Sequence, residues 1–455
     1  MADIRAFRGI RYTSAAGPIG ALTAPPYDVI GEDLRGRLTQ KSARNIVHLI
    51  LPQGGPERYR LAAERLEAWI REGVLAQERD PSLYLYRQTF NGADGRNHVR
   101  TGFLGLLRLE PAGGAVRHHE QTLAKPLEDR LRLIRATRTQ LSPIFVIYSD
   151  NAGNALRKIE ERSTREKPGP RPYAGAIYGR RASELTPGGI CEFNDEDGVR
   201  HWMQAISDEG AIAEARRTLG EQPVVIADGH HRYSAALEFR DRMHAAFPDA
   251  DPDLPENFVL ACFVRAEDPG LTSLPTHRVL PAGTKGPDGA KVLAALASRF
   301  DVQSFEIPAG TEGPVAAFPP RADQGRGVVI GARFAGDARL HVLLLRNAEE
   351  AFKGRELEPA LRGLDVAVLH KLVLEPEYGI DAEALRQGGR LLYERDPRKA
   401  ATQVAEGQAS AAFFLRPIPT SAIFDITGHG LKLPQKSTFF APKLASGLVL
   451  HRLGV

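Results

Sequence analysis

The densest group of residues able to do chemistry is Asp228-Gly229-His230-His231-Arg232. It follows the β-branched run Pro223-Val224-Val225-Ile226-Ala227 and precedes a helical pattern from Tyr233 to Met243, which places it at a strand-to-helix junction. Glycine there lets the backbone approach a ligand closely. The first amides of the following helix lack intrahelical partners, and the positive end of the helix dipole lies behind them. Together these make an anion site, most often one for phosphate. Arg232 can clamp a phosphate through paired N–H donors. His230 and His231 add donors, and Asp228 can hold a metal or act as a base. The plainer alternative is Asp228 as a helix N-cap with surface histidines.

Three further clusters compete. His118-His119-Glu120-Gln121-Thr122 leads into Lys125, Asp129 and Arg130. It is not a zincin motif, because Leu123 stands where the second metal-binding histidine must be. Arg132 and Arg135 read as a solvated basic face, whereas Glu120, Thr122, Lys125 and Arg130 are site candidates. Pro434-Gln435-Lys436-Ser437-Thr438, followed by Pro442-Lys443, sets a lysine beside two hydroxyls and suits phosphate contact. Pro275-Thr276-His277-Arg278 is a weaker candidate, and His370-Lys371 reads as a helix pair with one member exposed. A metal-dependent hydrolase built on His118, His119, His230 and His231 is a third-ranked reading, since adjacent histidines rarely share one ion. No GxxxxGK[ST], GxGxxG after a strand, or GxSxG is present.

Several elements must position these clusters. Ala24-Pro25-Pro26-Tyr27-Asp28 lies in a turn-rich loop whose prolines fix the backbone ahead of an aromatic and a carboxylate. Apolar spacing predicts a helix over 56–72, closed by Gly73. Residues 82–110 predict a hairpin around NGADGRN. Leu141 to Tyr148 and Phe258 to Arg265 read as buried strands. Residues 151–200, rich in Gly, Pro, Arg and Glu, read as an insertion or flexible connection. Strands are expected near 328–346, helices near 357–374 and 382–390, and a last strand over Ala411–Leu415. The mixture gives an α+β (mixed α/β) class.

Composition bounds the rest. In 455 residues, 60 basic and 56 acidic side chains leave a net charge of +4, which argues against a dedicated nucleic-acid coat. Apolar content of 42% and charged content of 25% exclude a disordered chain. Cys191 and Cys262 are far apart and suit a reducing compartment. No apolar leader or membrane-length run appears, so a soluble cytoplasmic protein is expected.

Taken as a set, MADIRAFRGIRY, APPYDVI, HEQT with DRL, IADGHHRY, LPTHR and PQKSTFFAPKLASGLV resemble the DUF-1015 family of bacterial and archaeal proteins along essentially the whole chain. The central motif is similar to the phosphate element of the ParB/sulfiredoxin-like fold, in particular that of archaeal free-serine kinases. The resemblance implies a ParB/sulfiredoxin-like core with large insertions and an additional C-terminal α/β region. The expected divisions are 1–150, 151–205 as the insertion, 206–290 as the core, and 291–455. It further implies phosphoryl transfer to a small hydroxyl substrate, most naturally L-serine to O-phospho-L-serine, from pyrophosphate or a nucleotide.

On that reading Gly229, His230, His231 and Arg232 hold the transferred phosphate. Lys436, Ser437 and Thr438, with Lys125 and Arg130, hold the rest of the donor. Asp28 or Glu120 takes the hydroxyl proton, with Asp228 and His230 beside the reacting group. Mg²⁺ is the expected cofactor, with Asp228 as its ligand. No nucleic acid or membrane partner is expected, and a homodimer is left open. The rival reading is a non-catalytic ParB-like nucleotide-binding regulatory module.

Overall fold

The hairpin read over 82–110 is the centre of a nine-stranded sheet. In a computed structural model that describes residues 1–92, 95–111, 113–120, 124–163, 190–307 and 327–454, this sheet is built from β1 (Ile4–Arg5), β2 (Leu83–Asn91), β3 (Asn97–Arg108), β4 (Val116–His118), β5 (Ile144–Tyr148), β6 (Ile190–Asn194), β7 (Arg200–Ile206), β8 (Val224–Asp228) and β9 (Phe258–Arg265). The spatial order is β4-β8-β5-β9-β3-β2-β7-β6, with β1 beside β3. Pairs β8–β4 and β9–β5 are parallel, and the others antiparallel, so the sheet is mixed. Helices α1 (Arg58–Arg71), α2 (Ala124–Thr137), α3 (Asn154–Glu161), α4 (Glu209–Gly220) and α5 (His230–Ala246) accompany it.

The core joins Phe103, Val146, Ile226, Tyr233, Phe239 and Phe263, all at most 3% exposed. Each fully buried apolar side chain of this size stabilises the fold by roughly 1.5–3 kcal/mol. The central strands read as continuous apolar runs because both of their faces are covered.

Two units compose the chain. Unit 1 comprises Met1–His118, Thr122–Thr272 and Phe440–Val455; unit 2 comprises His119–Gln121 and Ser273–Phe439. Unit 2 carries a six-stranded antiparallel sheet of β10 (His277–Pro281), β11 (Phe300–Glu306), β12 (Val329–Phe334), β13 (Arg339–Leu345), β14 (Leu392–Glu394) and β15 (Ala409–Phe414), in the order β11-β13-β12-β15-β10-β14. Helix α6 (Pro397–Ala405), capped by Asp396, lays Ala400, Ala401 and Val404 against Val279, Val329 and Ala412.

These units differ from the serial division expected at 150, 205 and 290. Strands from 206–290 pair with strands from 1–150, so neither stretch closes a core alone. The stretch 151–205 is in part a sheet component, since β7 pairs with β2 from Arg200↔Thr89 to Ile206↔Leu83. Its charged and turn-rich composition hid that strand; residues 164–189 lie outside the described set. The single helix expected over 357–374 is broken into Pro359–Leu361, Asp365–Leu369 and a π-helical turn, His370–Leu374. Gly363 falls at the first break, as its low helix propensity favours.

Candidate functional site

The junction after β8 is shaped by a change of register. Ile226 faces Val146 and Asp228 faces Phe145, which leaves Ala227 as an extra residue that re-aims the chain beyond it. Gly229 then turns the chain in the left-handed region, at φ 90°, and α5 begins at His230. The backbone there requires glycine, and a Cβ would stand 2.9 Å from Nη2 of Arg232, so the guanidinium would have to shift. Asp228 accepts from Arg232 Nη2 at 3.0 Å through one oxygen and from Lys443 Nζ at 3.2 Å through the other. Arg232 also donates to the Pro143 carbonyl. His230 is buried, with its ring 6.0 Å from that of His118; His231 is half-buried. Tyr233 fixes the first turn of α5 through its hydroxyl, which meets both the amide and the carbonyl of Glu110 at 3.0 Å.

The N-terminal loop and α2 bring a second wall within unit 1. The Arg130 guanidinium is buried and lies 3.9 Å over the Tyr27 ring. It donates to the Ile50 carbonyl at 2.7 Å and to Asp129. Burial alone would raise the Asp129 carboxyl, but Arg130, Tyr59 and Arg58 together hold it below its ordinary value. Burial pushes the Tyr27 hydroxyl up, against the pull of the Arg130 cation. A cavity of about 60 Å³ is lined by Tyr27, Ile50, Arg130, Ser142, Arg232 and Ala235. Asp28 is exposed on the short turn Tyr27–Val29. Unit 1 thus gathers the Tyr27–Asp28 loop, Arg130 and the Asp228–Arg232 junction. The side chain of Lys125 and all of Thr122 lie outside the described residues.

Unit 2 gathers a different set. The Lys436 amide donates to Glu120 Oε1 at 3.0 Å, and His119 Nε2 meets Thr438 Oγ1 at 2.8 Å. The Ser437 hydroxyl donates to the Pro434 carbonyl. Lys436 is exposed and sits at φ 55°. Arg278, fully buried, donates to the carbonyls of Thr276, Gln435 and Lys436 at 2.7, 2.9 and 3.1 Å and to His370 Nε2 at 3.2 Å. Burial brings the Arg278 guanidinium down to about 10 and His370 down to about 3. His370 and Lys371 are both half-buried, so neither is the exposed member expected of the pair, and His370 accepts from Arg278. In this arrangement Glu120, Ser437 and Thr438 are engaged in holding the turn.

Asp228 does not fit its expected role as a Mg²⁺ ligand, because each of its oxygens faces a cation. Among the described residues no three His, Cys, Asp or Glu side chains are grouped to hold a metal ion. Nor is any described helix long and apolar enough to cross a membrane.

A mixed α/β protein whose sheet ends on a glycine-turned, cation-lined helix start is the class these features define. A family model described as "Protein of unknown function (DUF1015)" matches residues 4–171 and 180–367, and the chain belongs to that family. No curated protein matches it. Among solved structures, a free serine kinase in complex with AMP matches at 11% identity over 72% of this chain and 84% of its own, with a TM-score of 0.32. SbnI with a C-terminal truncation, from Staphylococcus aureus, matches at 10% over 76% and 86%, with a TM-score of 0.35. A conserved hypothetical protein from Pyrococcus furiosus matches at 11% over 72% and 89%, with a TM-score of 0.32.

Proposed function

We propose that unit 1 is a phosphotransferase with a ParB/sulfiredoxin-like phosphate element, acting on a small hydroxyl substrate. L-serine, giving O-phospho-L-serine, is the acceptor of choice, with pyrophosphate or a nucleotide as donor. The observation that carries this reading is the junction itself. A bulged strand, a left-handed Gly229 and the start of a 17-residue helix present backbone amides, His230, His231 and Arg232 in one place. The cavity joins that junction to Arg130 and Tyr27. Donors fixed before the ligand arrives stabilise developing phosphate charge without reorganising. Phosphoryl transfer asks little else of a protein beyond alignment.

In this proposal Arg232 and the α5 amides hold the transferred phosphate, with Arg130 nearby as a second buried cation. Asp28, exposed beside Tyr27, takes the hydroxyl proton. No step is routed through a metal. The test is direct. Purified protein is incubated with L-serine and either pyrophosphate or ATP, with and without Mg²⁺, and phosphoserine is measured. Phosphoserine that disappears in Arg232→Met supports the proposal; no product with any donor removes it. Thermal stabilisation by a nucleotide alone, without turnover, would point instead to a binding module.

A further inference from the structure

Arg100 is one of the largest fully buried side chains in the protein, and no carboxylate ion-pairs with it among the described residues. It stands opposite Gln88 in the hairpin register. Its Nε donates to Gln88 Oε1 at 3.2 Å, and its Nη2 reaches the same oxygen. Its Nη1 donates to the Ala441 carbonyl at 3.2 Å, and Nη2 to the Pro442 carbonyl. The guanidinium lies 4.9 Å from the centre of the Phe145 ring. The Gln88 amide donates to the next carbonyl, that of Lys443, at 2.9 Å. Three consecutive carbonyls are thus gripped by one cross-strand pair. Burying an arginine is costly, and here its donors are spent on neutral acceptors, the Gln88 side-chain oxygen and two backbone carbonyls.

The gripped segment ends at the junction. Lys443 Nζ lies 3.2 Å from Asp228 Oδ1, and Arg232 Nη2 lies 3.0 Å from Oδ2. The three side chains are 13%, 11% and 21% exposed in the order Lys443, Arg232, Asp228. Lys443 and Arg232 thus share the Asp228 carboxylate beside the positive end of α5. A lysine normally loses much rotamer freedom when it binds an anion. A fixed backbone and an existing partner remove part of that loss in advance.

We propose that Lys443 is a phosphate ligand at this junction, and that Arg100 and Gln88 are its positioning residues. The proposal rests on the reading of the junction as a phosphate site. An ammonium group has three N–H donors and can hold Asp228 and a phosphate oxygen together. Arg100 and Gln88 touch no ligand; they act through the carbonyls of residues 441–443.

Calorimetric titration of pyrophosphate into the full-length protein tests this, with melting temperatures recorded alongside. Lys443→Gln is expected to weaken binding about 10- to 100-fold, the range of one charge-assisted hydrogen bond, and Lys443→Arg to recover part of it. Gln88→Glu keeps an acceptor for Arg100 but loses the donor to the Lys443 carbonyl. It is expected to weaken binding in the wild-type background and to add nothing in the Lys443→Gln background. Arg100→Lys should behave alike, and Gln88→Glu carries the cycle should Arg100→Lys fail to fold. Lys443→Gln binding as tightly as wild type overturns the proposal, as does a Gln88→Glu effect that persists without Lys443. Wild type that binds neither pyrophosphate nor ATP fails at an earlier point, and removes the phosphate site itself.

Discussion

The two units use the same device to different ends. In each, a fully buried arginine is satisfied largely by backbone carbonyls and not by an acid: Arg100 by those of Ala441 and Pro442, Arg278 by those of Thr276, Gln435 and Lys436. Each fixes a segment that carries a lysine. In unit 1 that lysine, Lys443, is largely buried and paired with Asp228. In unit 2 it is Lys436, exposed on a left-handed residue. The clamp alone therefore does not fix the surroundings of the lysine. What separates the two is whether the held cation meets a carboxylate and a helix start.

The largest expected effect comes from removing a clamp. Arg278→Met leaves several buried carbonyls without donors and should cost about 3–5 kcal/mol. Trp69 and Trp202 are the chain's two tryptophans, and both lie in unit 1. In urea the circular-dichroism transition should therefore move to lower concentration while tryptophan fluorescence holds. Arg100→Met should instead move the fluorescence transition. A variant that shifted both signals equally would break the comparison.

Acidification comes next. Burial lowers His277 to about 4 and His370 to about 3 in unit 2, from an ordinary 6.5. In unit 1 it lowers His451 to about 4 and brings the half-buried His48 more modestly below its ordinary value. Each is held neutral in the fold, so the unfolded chain binds the proton first. Stability is intact above pH 6.5 and falls as pH drops toward the folded values, by up to about 1.4 kcal/mol per pH unit for each histidine. Unit 2, with two histidines lowered this far against one in unit 1, should lose its dichroism before the fluorescence of unit 1 changes between pH 6.5 and 4.5. The reverse order would contradict this.

Gly229→Ala should cost about 1–3 kcal/mol through its positive φ, and also displace Arg232. Pyrophosphate affinity should fall further than the melting temperature explains. The smallest effect is expected at Lys436→Gly, within about 0.5 kcal/mol of wild type, since backbone relief and added chain entropy oppose each other. Pyrophosphate binding lost in Lys436→Gly would show that the exposed lysine matters after all.

Much of this was legible before the fold. The run before Asp228, the hairpin over 82–110 and the α1 pattern arise from apolar periodicity, and all three form as read. The junction was visible because polar residues directly after a buried strand demand a use. Arg100 and Gln88 were missed for the opposite reason. In a strand, an isolated polar residue reads as solvent-facing, and only the cross-strand register sets these two opposite each other. The signal available was their symmetric placement around the turn. Lys443 was noted only as a neighbour of Pro442, because nothing local ties it to Asp228, which precedes it by 215 residues. Glu120 and Ser437 read as chemical groups until their hydrogen bonds showed them holding a turn.

Unit 1 is interrupted by unit 2 and resumes only at Phe440. On the ribosome, the residues that Arg100 and Gln88 grip are therefore synthesised after everything they attach to. The hairpin emerges with Arg100 beside Gln88 but without its two carbonyl acceptors, which follow unit 2 in the chain. Asp228 precedes the Ser273–Phe439 stretch of unit 2 in the chain and Lys443 follows it. A nascent chain therefore completes the ion pairs of Asp228 only once unit 2 has been synthesised.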